Sequence, residues 1–310
     1  MLKRPFYPYF PYNLDRKTGF GRNNTKRICD LNSCKRKGET MEDWKKTYRN
    51  MLEDKNISYQ QVREFVFPNI PKRLYRYREF DEYYMNNVSG EVYLSYPCKF
   101  NDPFDSAIEI DYLKYTNLFF QREFPIGKVE DIFKNNDVIK KEFDKHYQDT
   151  YKQFQEYVSI ACFTTSFNNR LMWSHYADNH SGFCIEYDMT QDSSIKNAIL
   201  PVIYDEQRFD CTEVLLDHSP NIAINPVFYK DKVWEYEDEW RTYGTKDYFQ
   251  VHKNPIDARK IISAIYLGAK SEEHSHEVEE VKKYALDKKI PVYKMEMSQR
   301  RYELNPRRIC

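Results

Sequence analysis

Four short stretches concentrate the residue types that can do chemistry. Residues 100–105 read Phe-Asn-Asp-Pro-Phe-Asp, and the Asp102-Pro103 step marks a turn that brings Asn101, Asp102 and Asp105 together. Two carboxylates so placed, joined by Glu237 or Glu239, could hold a hard divalent cation through oxygen. Equally, they could cap backbone amides as an Asx turn. Residues 172–177 set Trp173, Ser174, His175 and Tyr176 side by side. Neighbours on a helix point about 100° apart, so Ser174 and His175 make a poor nucleophile–base pair. No Gly-x-Ser-x-Gly elbow is present. His175 is therefore a candidate lone general base or ligand contact, or a half-buried histidine tied to a carbonyl. Trp173 and Tyr176 could stack on a base or nicotinamide ring, or belong to the core.

Residues 234–241, Trp-Glu-Tyr-Glu-Asp-Glu-Trp-Arg, alternate aromatic and charged side chains. This period of two predicts a strand with Glu235, Glu237, Glu239 and Arg241 on one side. Like charges in that register repel unless paired, and Arg241, Arg76 or Arg78 are the available partners. A glutamate left in a pocket instead would have a perturbed pKa, a marker of function. The fourth stretch, residues 73–78, is Arg-Leu-Tyr-Arg-Tyr-Arg. It alternates as a strand should, with Leu74 and Arg76 on one face and Tyr75 and Tyr77 on the other.

The elements around these stretches can be read from periodicity. Residues 160–188 predict strand, polar turn, helical turn and strand. Trp44, Tyr48 and Leu52 recur at helical spacing. A second helix is expected over 58–65 with Ser58 as its N-cap, ended by Pro68 and Pro71. A short helix is expected over 81–85, then a strand over 92–97 (VYLSYP). Helices are expected across an insert at about 112–157, including a long amphipathic run over 128–157 that packs on the sheet. Further strands are expected over 200–204 and 261–267. A helix over 271–287 and the strand IPVYKMEM complete a β-α-β unit. The expected fold class is α+β, with a central, largely antiparallel sheet, a helical N-terminal lead-in, the helical insert and that C-terminal unit.

Composition bounds the function. The 310 residues include 27 Tyr, 20 Phe and only 8 Gly, which argues against glycine-rich phosphate loops. Residues 1–40 hold ten Lys and Arg against three Asp and Glu, leaving 38 against 45 in 41–310. The segment 1–40 reads as a flexible basic arm, and Lys37-Gly38-Glu39-Thr40 before Met41 is compatible with a ribosome-binding sequence and a start at Met41. Residues 41–310 read as a single domain. Its acidic balance argues against broad binding of a phosphate backbone, so nucleic acid is not indicated as a partner. No apolar run approaches the roughly 18 residues of a membrane helix, and no signal-peptide core is present, so a cytoplasmic protein without a membrane partner is expected. Seven cysteines, an odd number, suit reduced thiols, with Cys98, Cys162 and Cys184 in apolar contexts. Cys29 and Cys34 lack a second ligand pair, so no zinc site is expected there.

With RLYRYR, FNDPFD, MWSHYA followed by GFCIEYD, and WEYEDEWR in this order, the chain from about Met41 to its end resembles a bacterial domain-of-unknown-function family. Members of that family look like cytoplasmic proteins of the mobile, defence-associated gene pool, and their activity is not established. A more distant resemblance is to ADP-ribosyltransferase-like folds. There, an Arg or Tyr on a first strand, a Ser or Tyr on a second and a later acidic strand form a three-part site. The matching positions are Arg76 or Tyr77, Ser95 or Tyr96, and Glu237 or Glu239. The His-x-Thr element of one major branch is absent. In such enzymes a carboxylate holds the nicotinamide ribose and steadies a cationic sugar.

The leading expectation is thus a nucleotide- or NAD-directed enzyme, an ADP-ribosyltransferase-like toxin or phage-defence effector with NAD as substrate. Glu239, Glu237, His175 and Arg76 are its candidate catalytic residues. Tyr77, Ser95, Tyr96, Asn101, Asp102, Asp105, Trp173, Ser174 and Tyr176 are its candidate binding residues. The alternatives are a metal-dependent nuclease or phosphohydrolase, and a non-catalytic ligand-sensing or protein-binding module.

Overall fold

A computed structural model describes residues 41–123, 137–217, 224–246, 248 and 255–310. The expectations for the basic arm, for Cys29 and Cys34 and for residues 128–136 lie outside the described residues.

The lead-in helices follow the sequence closely. Helix α1 (Met41–Glu53) buries Tyr48 and Leu52, and Trp44 packs against Trp240 with ring centroids 6.3 Å apart. Helix α2 (Tyr59–Val66) starts at Ser58 in a capping box: the Ser58 hydroxyl accepts from the Gln61 amide, and the Gln61 side chain accepts from the Ser58 amide.

Eight strands form the central sheet. In chain order they are β1 (Arg73–Arg78), β2 (Val158–Thr164), β3 (Phe183–Asp188), β4 (Leu200–Pro201), β5 (Glu239–Thr245), β6 (Ile262–Leu267), β7 (Val292–Met297) and β8 (Leu304–Arg308). Their spatial order is β8-β7-β6-β3-β1-β2-β5-β4. All pairings are antiparallel except β6 with β7. Helix Ser275–Lys288 links those two strands as the expected β-α-β unit. The α+β class and the mostly antiparallel sheet are therefore as expected. Strand β8 was not: its sequence, Leu-Asn-Pro-Arg-Arg, lacks apolar alternation. It survives as an edge strand, where a proline and charges are tolerated.

Strand β1 is central, so both its faces are buried. Leu74 joins one core with Phe163, Ile185 and Tyr187. Tyr75 and Tyr77 join the opposite core with Trp173, Tyr266 and Met295. The insert contributes helices Tyr112–Glu123 and Asp137–Tyr157. It holds the FNDPFD loop and the short strand after it from outside: the Tyr151 hydroxyl donates to the Pro103 carbonyl and Tyr147 to that of Ile108.

Local chemistry corrects several expectations. Residues 234–241 are not one strand. Asp231 caps a 3-10 helix, Lys232–Glu237, by accepting from the Val233 amide. Asp238 then takes a left-handed φ of 41°, and β5 begins at Glu239. The glutamates are therefore not a ladder: Glu235 faces solvent, while Glu237 and Glu239 turn inward. The expected strand 92–97 shrinks to Glu91–Val92, because Pro97 opens a 3-10 turn and only Ser95 bridges to the sheet. The strand expected over 200–204 splits around Val202; Leu200–Pro201 joins the sheet edge and Ile203–Asp205 pairs with Tyr229–Asp231. The helix expected over 81–85 forms at Tyr84–Val88, because the Asp81 carboxylate captures the Tyr83 amide in an Asx turn. The helix expected from 271 starts as a 3-10 turn, Ser271–His274.

Candidate functional site

The central sheet is split. Strand β1 pairs with β3 along all six residues, Arg73 to Arg78. Strand β2 pairs with β5 along all seven, Val158 to Thr164. Between β1 and β2, however, only Tyr75 and Thr164 are partnered. Beyond that point the strands diverge, and Ser95 enters the gap, exchanging both backbone hydrogen bonds with Ile160 at 2.9 and 2.8 Å. The wedge encloses a cavity of about 310 Å³, at the lower end of the roughly 300–1,000 Å³ of small-molecule sites.

All four chemistry-bearing stretches reach this cavity. Its lining includes Tyr75 to Arg78 from β1, Ser95, Asn101 and Asp105. Facing them are Cys162 and Thr164 from β2, His175 and Tyr176 from helix Arg170–Tyr176, and Glu237 and Glu239. Four expected site residues are directed elsewhere. Asp102 caps the Phe104 amide at 2.8 Å, the Asx-turn role. Trp173 is fully buried in the second core and donates its indole N–H to the Phe167 carbonyl. Ser174 donates to the Arg170 carbonyl and sits 3.1 Å from His180, not paired with His175. Tyr96 is exposed outside the cavity lining. His175 lies exposed at the rim, edge-on to Trp234.

One wall is a compensated charge network. The Arg241 guanidinium, fully buried, donates to both Asp105 oxygens at 2.8 and 2.6 Å and to both Glu239 oxygens at 2.9 Å. It also donates to the Val227 carbonyl at 2.7 Å. The Lys230 ammonium donates to Glu237 and lies 3.3 Å from Glu239 and 3.5 Å from Asp105. Burial alone would raise the Glu239 pKa, but Arg241 and Lys230 outweigh it and hold the group at about 2. Glu237 differs. Burial raises its pKa, and Lys230 offsets that only in part, so the net shift is upward. Its other oxygen accepts from the Tyr176 hydroxyl at 2.7 Å. Thr164 holds the segment by donating to the Glu237 carbonyl oxygen.

Two left-handed residues flank the network. Asp238 (φ 41°) lets Glu237 and Glu239 reach the same interior from opposite sides of a backbone reversal. Ser106 (φ 55°) follows Asp105. Such strained positions persist where surrounding structure fixes them, and they cluster at functional sites.

Lys230 was not read from the sequence as a site residue. It sits on a short strand outside every motif, and only its later packing beneath Trp234, 5.0 Å from the ring centroid, brings it to the glutamates. Arg78, Lys99 and Cys162 also line the cavity. Among the described residues no group of three or more His, Cys, Asp or Glu side chains is arranged to hold a metal ion. The three buried carboxylates are engaged by Lys230 and Arg241 instead. No helix among the described residues is long and apolar enough to cross a membrane.

No curated protein and no solved structure matches the chain. The model of a family described as a protein of unknown function (DUF2971) matches residues 172–242, a span that carries His175, Tyr176, Lys230, Glu237, Glu239 and Arg241.

Proposed function

We propose that the cavity is the active site of a nucleotide- or NAD-directed enzyme, most concretely an ADP-ribosyltransferase-like toxin or phage-defence effector acting in the cytoplasm. The observation that carries this reading is Glu237: a buried carboxylate with a raised pKa, facing a small-molecule-sized cavity where four separate motifs meet. In this reading NAD is a substrate. Its nicotinamide–ribose C–N bond breaks, and the bonding electrons leave with neutral nicotinamide. Ionised Glu237, aimed by Tyr176 and Lys230, stabilises the cationic ribosyl carbon. The acceptor's nucleophile forms the new bond, and its proton passes to the Glu237 carboxylate. Glu239 acts through Glu237 as a positioning residue: Arg241 holds both of its oxygens, and it shares the Lys230 ammonium with Glu237. His175 and Tyr176, with Asn101, contact the ring and sugar at the mouth.

The test is incubation of purified protein with NAD and a cell extract, followed by nicotinamide release and label transfer. Wild type should release nicotinamide, and Glu237→Gln should lower the rate by about 10²–10³-fold while the protein stays folded. Magnesium- or manganese-dependent cleavage of nucleic acid or phosphate esters, without nicotinamide release, would move the assignment to a hydrolase. Ligand binding without turnover would leave a sensing module.

A further inference from the structure

The charge of residues 41–310 is not evenly spread. Residues 288–310 hold seven Lys and Arg against two Asp and Glu, which leaves 31 against 43 in 41–287. The basic segment forms the last part of the sheet, the hairpin of β7 and β8, whose connecting turn is exposed throughout residues 299–303. Arg300 and Arg301 stand on that turn. Arg308 lies at the far end of β8, directly opposite Tyr293 and so on the same sheet face. Arg170, the first residue of helix Arg170–Tyr176, sets its guanidinium over the Tyr302 ring, 5.5 Å from the centroid. The carboxylates of the segment are Glu296, which accepts from Arg307, and Glu303, 3.7 Å from Arg301. Among the described residues no ion pair engages Arg170, Arg300 or Arg308.

Charges on an edge strand guard against edge-to-edge pairing, and that accounts for Arg307 and Arg308. It does not account for the turn, which lies off the edge, or for the apolar groups beside it. Tyr302 is 88% exposed and Met297, at the end of β7, is 77% exposed. Along the face that Met297 shares with Tyr293, aromatic rings stack: Phe167 on Tyr266 at 4.6 Å between centroids, and Tyr266 on Tyr293 at 5.1 Å. Forked guanidinium groups donate to phosphate oxygens in pairs. An exposed ring offers its π face to a base whatever the identity of that base.

We infer that the β7–β8 hairpin, with Arg170, is a docking surface for single-stranded nucleic acid: Arg170, Arg300, Arg301 and Arg308 take the phosphates, and a base stacks on Tyr302. A thread-like polyanion can lie along the hairpin alone. A duplex or an anionic bilayer presents its charge over a broad front, which the acidic remainder of the body repels, and a duplex keeps its base faces covered. A second copy of this chain would bring like charge to like. The surface shares no residue with the cavity lining, so the inference goes beyond the enzyme reading and stands apart from it.

The probe is a fluorescently labelled oligouridylate, titrated with the full-length protein in anisotropy measurements at several salt concentrations. Wild type should bind it with an affinity that falls as salt rises. Tyr302→Ala should weaken binding about tenfold. Arg300→Ala combined with Arg301→Ala should weaken it further and flatten the slope of log Kd on log salt by about 1.4, two phosphate contacts. Lys46→Ala, at an exposed position on α1, should leave affinity and slope unchanged. The substituted side chains are all exposed, and circular dichroism verifies that each variant is folded. No binding by wild type overturns the inference, as does binding unchanged in the hairpin variants, which would place it on the basic segment 1–40. Displacement of the probe by a duplex, by polyglutamate or by anionic vesicles as readily as by the unlabelled strand also overturns it.

Discussion

The two walls of the cavity bury the same kinds of charge and treat them oppositely. On the β5 side, Arg241 satisfies two carboxylates at once, and Lys230 bridges three. On the β1 side, Arg76 and Arg78 each keep a buried nitrogen with no partner among the described residues. A fully satisfied network rigidifies a fold, whereas an unsatisfied donor costs free energy without a ligand. The contrast separates a wall whose buried charges answer one another from a strand where two donors stay unpaired. It also divides the two inward glutamates: Glu239 belongs to the network, and Glu237 stands at its border.

Breaking the compensated wall should have the largest effect. Arg241→Met leaves Asp105 and Glu239 buried without their main counter-charge, and should cost about 3–5 kcal/mol in urea unfolding. A loss under about 1 kcal/mol would show that the network is ornamental to the fold.

Next in size is a pH effect. Glu239 is held near 2 against an ordinary value of 4.5. It binds a proton less readily folded than unfolded, so its contribution is complete above the ordinary value. That contribution drains away as pH falls from about 4.5 towards 2, by about 3 kcal/mol in all. Glu239→Gln should remove this acid dependence along with the stability. Unfolding curves at pH 6 and pH 3 that differ equally in wild type and Glu239→Gln would assign the dependence elsewhere.

A third expectation concerns the joint between the two glutamates. Asp238 is left-handed, and its carboxylate accepts from Thr165 and pairs with Lys45. Asp238→Ala should lose about 1–2 kcal/mol, with part recovered in Asp238→Gly, which adopts that φ freely. Equal losses in thermal unfolding would place the cost in the side-chain contacts alone.

The smallest expected effect has the opposite sign. Arg76→Met removes an uncompensated buried cation, so without ligand its stability should match wild type within about 1 kcal/mol or exceed it. A drop as large as that of Arg241→Met would dissolve the distinction between the walls.

Particular elements show where sequence reading succeeded. The stripe Trp44, Tyr48, Leu52 and the Ser58 cap are local signals, and α1 and α2 form accordingly. The alternation of Arg-Leu-Tyr-Arg-Tyr-Arg gave the right strand and the right faces, because a central strand sorts its side chains by parity whatever its partners. The convergence of the motifs on one cavity was also legible in outline. The period of two over 234–241 misled, since 3-10 turns ended by a left-handed residue can imitate it in composition. Asp102 and Trp173 looked chemical by type, but capping and packing claimed them.

By itself, then, the sequence determined the elements whose causes are local: periodicity, caps, turns, and the residue types available for a site. Tertiary structure decided how the site is built. The gap between β1 and β2 exists because each strand is fully paired on its other side and the two share a single residue pair. Which charges are neutralised follows from that gap. Asp105 is far in the chain from Lys230 and Arg241 and meets them only in the folded protein, an encounter that no spacing in the sequence encodes.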